Sequence, residues 1–109
     1  MKIPTYDEVM DEYYDDWQKK KNAALAEVTK HLSKYKKKKL LGFIKSQEDE
    51  YKISEYRIED EPGVDDYQDE YGFNVYISQY SSGESGDNFA GTCWLEITPT
   101  VYLTYNFEC

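Results

Sequence analysis

Side chains able to do chemistry are few in this chain, and they are poorly assorted for it. His31 is the only histidine. A nucleophile built on Ser81, Ser82 or Ser85 would have to recruit it as base, and none of the three lies near it in sequence. His31 also falls on a helical apolar stripe, the setting of a packed or interfacial side chain rather than a catalytic one. Cys93 and Cys109, with one histidine, match no zinc spacing and read as two reduced thiols. Asp65-Asp66-x-x-Asp69-Glu70 offers oxygen ligands for a hard cation. It lacks the glycine and terminal-glutamate order of an EF-hand loop. Gly83 and Gly86 follow no strand-to-helix turn, so they form no phosphate loop. Two carboxylates suffice for glycosidase chemistry, but among 22 acidic residues no particular pair stands out. No catalytic residue, metal or cofactor is assigned, and an enzyme is not expected.

The informative pattern is the segregation of charge. Residues 1–16 carry a net −5, residues 17–45 a net +9, and residues 46–109 a net −13, for −9 in all. Blocks of one sign create local fields that act on charged macromolecules. The densest acidic stretches are DEVMDEYYDD, residues 7–16, and EDEPGVDDYQDE, residues 59–70. In a helix, Asp7, Asp11 and Asp15 form one i,i+4 row, and Glu8, Glu12 and Asp16 form a second. Neighbours in such a row stand about 5–6 Å apart. Phosphates repeat at about 3.4 Å of rise per strand of a duplex. Two parallel carboxylate rows therefore approximate a strip of phosphate charge.

Positioning these residues requires helix first and strand afterwards. Thr5-x-x-Glu8 is a capping box. Apolar residues then recur at Tyr6, Met10, Tyr13, Trp17, Ala24, Val28, His31 and Tyr35, a helical stripe. The stripe lapses at Lys19–Asn22, where like charges crowd, so two helices over 6–20 and 23–40 are expected, with Gly42 as the stop. Beyond it the period becomes two. Tyr51 and Ile53 are followed by Tyr56 and Ile58 with a phase slip at Ser54-Glu55, the mark of a bulge. Phe73, Val75 and Ile77, then Cys93, Leu95 and Ile97, then Val101, Leu103, Tyr105 and Phe107 continue the alternation. Pro99 either turns a hairpin or kinks one long strand. The expected architecture is α+β: one or two N-terminal helices on a three- to four-stranded antiparallel sheet. It forms a single domain over 1–109, helical over 5–41 and sheet over 50–108, with an acidic loop at 59–70 and a flexible loop at 81–91.

No apolar run approaches the roughly 20 residues of a membrane span, and no signal core precedes the first acids, so a cytoplasmic protein is expected. With DEVMDEYYDD and EDEPGVDDYQDEY in one short domain, the chain resembles the small acidic inhibitors that phages carry against host defence, including DNA mimics and anti-CRISPR proteins. The likeness is one of charge pattern and size. It implies a bacterial-host cytoplasm and a basic partner: the nucleic-acid-binding surface of a nuclease or of a CRISPR ribonucleoprotein such as Cas9. The expected contacts are Asp7, Glu8, Asp11, Glu12, Asp15, Asp16, Glu59, Asp60, Glu61, Asp65, Asp66, Tyr67, Asp69 and Glu70. Lys34 and the run Lys36, Lys37, Lys38 and Lys39 offer a second, direct contact to nucleic acid. Two other readings fit the same charges and composition: an immunity protein or antitoxin against a basic toxin, and an assembly module built on a tyrosine-rich sheet.

Overall fold

The computed structural model describes residues 6–82 and 88–108, with side chains for 15–79 and 89–108. Two helices, α1 (Tyr6–Thr29) and α2 (Lys34–Glu50), precede five strands: β1 (Lys52–Glu59), β2 (Tyr67–Glu70), β3 (Phe73–Ser82), β4 (Asn88–Thr98) and β5 (Val101–Glu108). The strands form one antiparallel sheet in the order β1-β5-β4-β3-β2. The class is α+β, as the pattern predicts, with one strand more than the upper expected count. The added strand is β2, which lies within the acidic stretch expected to be loop.

The helix break falls later than expected. Lys19–Asn22 is continuous helix, because its charges are met: Lys20 pairs with Asp16 at 3.3 Å, and Lys21 is held by Glu48 and lies over the Trp17 ring. The chain breaks instead at residues 30–33. The amides of His31 and Leu32 close onto Val28 and Thr29 carbonyls three residues back, a tightened final turn. Ser33 then caps α2, its hydroxyl accepting from the Lys36 amide at 3.2 Å. The break resets the helical phase. Tyr35, expected on the buried stripe, is 67% exposed, and His31 is exposed in the turn. Gly42 does not stop α2. A mid-helix glycine costs about 1 kcal/mol, less than is gained by burying Phe43 and Ile44 directly after it.

The two helices cover one face of the sheet. Ala24, Val28, Leu40, Phe43 and Ile44 meet Ile53, Tyr56, Phe73, Val75, Cys93, Leu95, Leu103, Tyr105 and Phe107 in one core. The phase slip in β1 is a bulge: Glu55 takes φ 56°, and the register shifts between Ser54 and Arg57. Ile53 and Tyr56, three residues apart, thereby both face the helices. Pro99 and Thr100 form the two-residue turn of a hairpin, with Thr98 opposite Val101. The segment expected as a flexible loop over 81–91 contributes residues 81–82 to β3 and 88–91 to β4.

Candidate functional site

The second face of the sheet is built from the alternate residues. Register places Tyr67 opposite Tyr76, Tyr76 opposite Trp94, Trp94 opposite Thr104 and Thr104 opposite Arg57, one row across all five strands. Glu59, Tyr102 and Glu96 form the next row. Tyr67 and Tyr76 meet at 5.4 Å between ring centroids, and Tyr76 meets Tyr102 edge-on at 5.9 Å. The Tyr102 hydroxyl donates to Glu96 Oε1 at 3.0 Å, and Asn74 donates to Glu96 Oε2 at 3.2 Å. Trp94 and Tyr102 are both buried although neither faces a helix.

Over Trp94 the cover is the acidic segment itself. β1 and β2 lie at opposite edges of the sheet, so residues 60–66 must cross it to connect them. They cross this second face as a strap. Gly63 lies flat on the Trp94 ring, so close that a Cβ there would stand 2.6 Å from its Cζ2. Glu59, where the strap begins, accepts from the Trp94 indole N–H and from Arg57 Nε at 3.3 Å. Beyond the strap, Asp69 Oδ1 accepts the Gly72 amide at 3.2 Å, and Tyr71 and Gly72, at φ 56° and 84°, make the two-residue β2–β3 turn.

The expected contact residues therefore divide. Asp60, Glu61, Asp65, Asp66, Tyr67, Asp69 and Glu70 are exposed along the strap and β2, and none of their carboxylates has an ion-pair partner among the described residues. Glu59 is half-buried and committed to Trp94 and Arg57. Asp15 and Asp16 are exposed on α1, the latter paired with Lys20. The backbone of Asp7, Glu8, Asp11 and Glu12 is helical, and their side chains lie outside the described ones. Of the lysines, Lys34, Lys37 and Lys38 are exposed on α2. Lys36 Nζ donates to the Gly72 carbonyl at 2.8 Å, and Lys39 lies over the Tyr35 ring.

Trp94, Tyr76, Tyr102 and Gly63 were not among the expected residues. The signal for them was present. Trp94 and Tyr102 alternate out of phase with the core, which leaves two large aromatics needing a cover, and Pro62-Gly63 is the part of the acidic stretch able to lie on a ring. On the opposite, helix-covered face, burial drives the Cys93 thiol up to about 12, which keeps it protonated at neutral pH. No group of three or more metal-ligating side chains occurs among the described residues. No helix among them is long and apolar enough to cross a membrane. Comparison of the chain with protein-family models, with curated proteins and with solved structures gives no match.

Proposed function

We propose that the protein is an acidic inhibitor that occupies the nucleic-acid-binding surface of a nuclease or of a CRISPR effector of the Cas9 type, its carboxylates standing in for phosphates. One observation carries the reading. Six exposed carboxylates (Asp60, Glu61, Asp65, Asp66, Asp69 and Glu70) run in sequence along the strap and β2 with no ion-pair partner among the described residues. Their mutual repulsion weakens the fold, and a cationic partner would relieve it. Tyr67 and Tyr71, 57% and 45% exposed, supply flat apolar area among them. Asp15 and Asp16, exposed on α1, add acids on the helical side of the sheet, and Lys34, Lys37 and Lys38 provide a separate contact to guide or target nucleic acid.

The charges of α2 support the same reading. Lysines fill its first turn, and Glu48, Asp49 and Glu50 its last, each opposing the helix dipole. The assembly alternative is less favoured, because Trp94 is spent beneath the strap and Tyr102 is buried, rather than offered to a second molecule.

The test is cleavage by purified nucleases and CRISPR ribonucleoproteins, with the wild-type protein and a variant in which Asp60, Glu61, Asp65, Asp66, Asp69 and Glu70 are changed to the amides. Wild type is expected to inhibit at least one such enzyme, less so as salt rises. The folded variant is expected to lose inhibition. Equal inhibition by both proteins, or none by wild type, rejects the proposal.

A further inference from the structure

The two edges of the sheet are built differently. β1 carries a bulge at Glu55 and the charges of Lys52, Glu55 and Arg57, which discourage pairing with another chain. At the opposite edge β2 is only four residues long and pairs with β3 from Phe73 to Tyr76. From Ile77 to Ser82, β3 pairs with β4 alone. The two-residue turn makes Glu70 and Phe73 a hydrogen-bonded pair, so Phe73 and Val75 aim their backbone groups at β2. By alternation, the N–H and C=O of Gln79 and Ser81 point to the open side. The stretch ISQYSS, 77–82, contains no charge, no proline and no register shift. Within 77–82 the edge thus carries none of the charges, prolines or bulges that commonly protect a free strand.

Beside this edge, between α2 and the β2–β3 hairpin, lies a groove of about 380 Å³. Phe43, Val75 and Ile77 give it an apolar lining, and Glu50 and Glu70 stand in its wall. Ile77 is 40% exposed. On a second, smaller hollow, Asp66 adjoins Ile77. None of the three carboxylates has an ion-pair partner among the described residues.

We infer that this edge takes up an extended basic segment of the protein partner as a sixth strand. The inference rests on the reading that the partner is cationic, and it supplies the docking mode. Main-chain hydrogen bonds to Gln79 and Ser81 give pairing, and alternate side chains give selectivity. Basic side chains on one face meet Glu50 and Glu70, and their methylene stems cover Ile77 on the same face. A second copy of this chain is the poorer occupant: it would bring its own Glu50, Glu70 and Asp66 to the same edge, with −9 on each molecule.

The probe is an end-blocked octapeptide alternating lysine and valine, compared with the same peptide N-methylated at alternate amides. Backbone amide exchange is followed by NMR on the full chain. The plain peptide is expected to slow exchange at Gln79 and Ser81 but not at Ile58 on the other edge. N-methylation removes the peptide's donors and is expected to weaken binding about tenfold. Gln79→Pro, which removes an N–H facing the open side, is expected to abolish it; proline is tolerated at such edge positions. If that variant unfolds, the peptide pair on the unaltered protein decides. Equal affinity of the two peptides, or protection confined to Asp65 and Asp66, overturns the inference and leaves the cationic-partner reading standing. Absence of peptide binding at low salt also overturns it, while nuclease inhibition tests the other reading separately. Protection of Gln79 and Ser81 that grows with protein concentration alone assigns the edge to a second copy and overturns it as well.

Discussion

The same sheet is covered on its two faces by different physics. On one face, α1 and α2 bury Ala24, Val28, Leu40, Phe43 and Ile44, and several of the charges nearby are spent inside the molecule: Lys21 on Glu48, Lys20 on Asp16, Lys30 on Glu27. On the other, a seven-residue strap does the covering with one glycine on one tryptophan and begins at Glu59, hydrogen-bonded to that ring. Asp60, Glu61, Asp65 and Asp66 on the strap have no ion-pair partner among the described residues. A carboxylate near a lysine on a helix is part of the fold, whereas one on the strap is left to act outward. Density of charge in the sequence does not separate the two cases, but pairing in the structure does.

That contrast is broken most severely by removing the outward charge. Changing Asp60, Glu61, Asp65, Asp66, Asp69 and Glu70 to amides should weaken binding to a cationic partner by about 100-fold or more at low salt, with a small rise in unfolding free energy as their mutual repulsion is removed. Isothermal titration at two ionic strengths, beside urea unfolding, measures both. Next in size is the strap's seat. Gly63→Val places carbon inside the Trp94 ring and should cost about 1–3 kcal/mol, with a shift in tryptophan fluorescence as the ring moves. On the helical face, Glu48→Gln leaves Lys21 half-buried without its countercharge and should cost about 1.5–3 kcal/mol, measured by urea unfolding, without affecting partner binding.

A pH series sharpens the comparison further. Burial, and then the hydrogen bond to and charge of Glu96, push the Tyr102 phenol from its ordinary 10.0 up to about 12. The folded protein keeps a proton there that the unfolded chain releases. Its contribution to stability is therefore complete below pH 10 and is lost as pH rises through about 12. Burial also raises Tyr56 and Tyr105 on the helical face, with the same sign. Tyr102→Phe should flatten only the strap-side share of the alkaline loss, read as a shallower fall in urea midpoint over that window. The smallest effect is expected from Lys37→Glu, which replaces a charge opposing the α2 dipole with one favoured by it. It should stabilise the protein by about 0.3–1 kcal/mol in thermal unfolding while weakening any contact of that helix with nucleic acid.

Much of the fold was legible because it is periodic. The alternation of Phe73, Val75 and Ile77 and of Leu103, Tyr105 and Phe107 marks strands, and the slip at Ser54-Glu55 marks the bulge observed at Glu55. The helix break was misplaced because Lys19–Lys21 look repulsive until Glu48, far along the chain, is brought beside Lys21. β2 was missed because YQDE has no buried face, all four residues being exposed, and no apolar alternation to read.

The sequence by itself determined the secondary structure over most of the chain, the α+β class and the partition of charge, since these depend on local spacing and composition. Only the tertiary structure decided which acids are spent and which are left over. That choice depends on what lies within a few ångströms in space: β1 and β2 at opposite edges force the 60–66 segment over Trp94, and no described lysine forms an ion pair with its carboxylates.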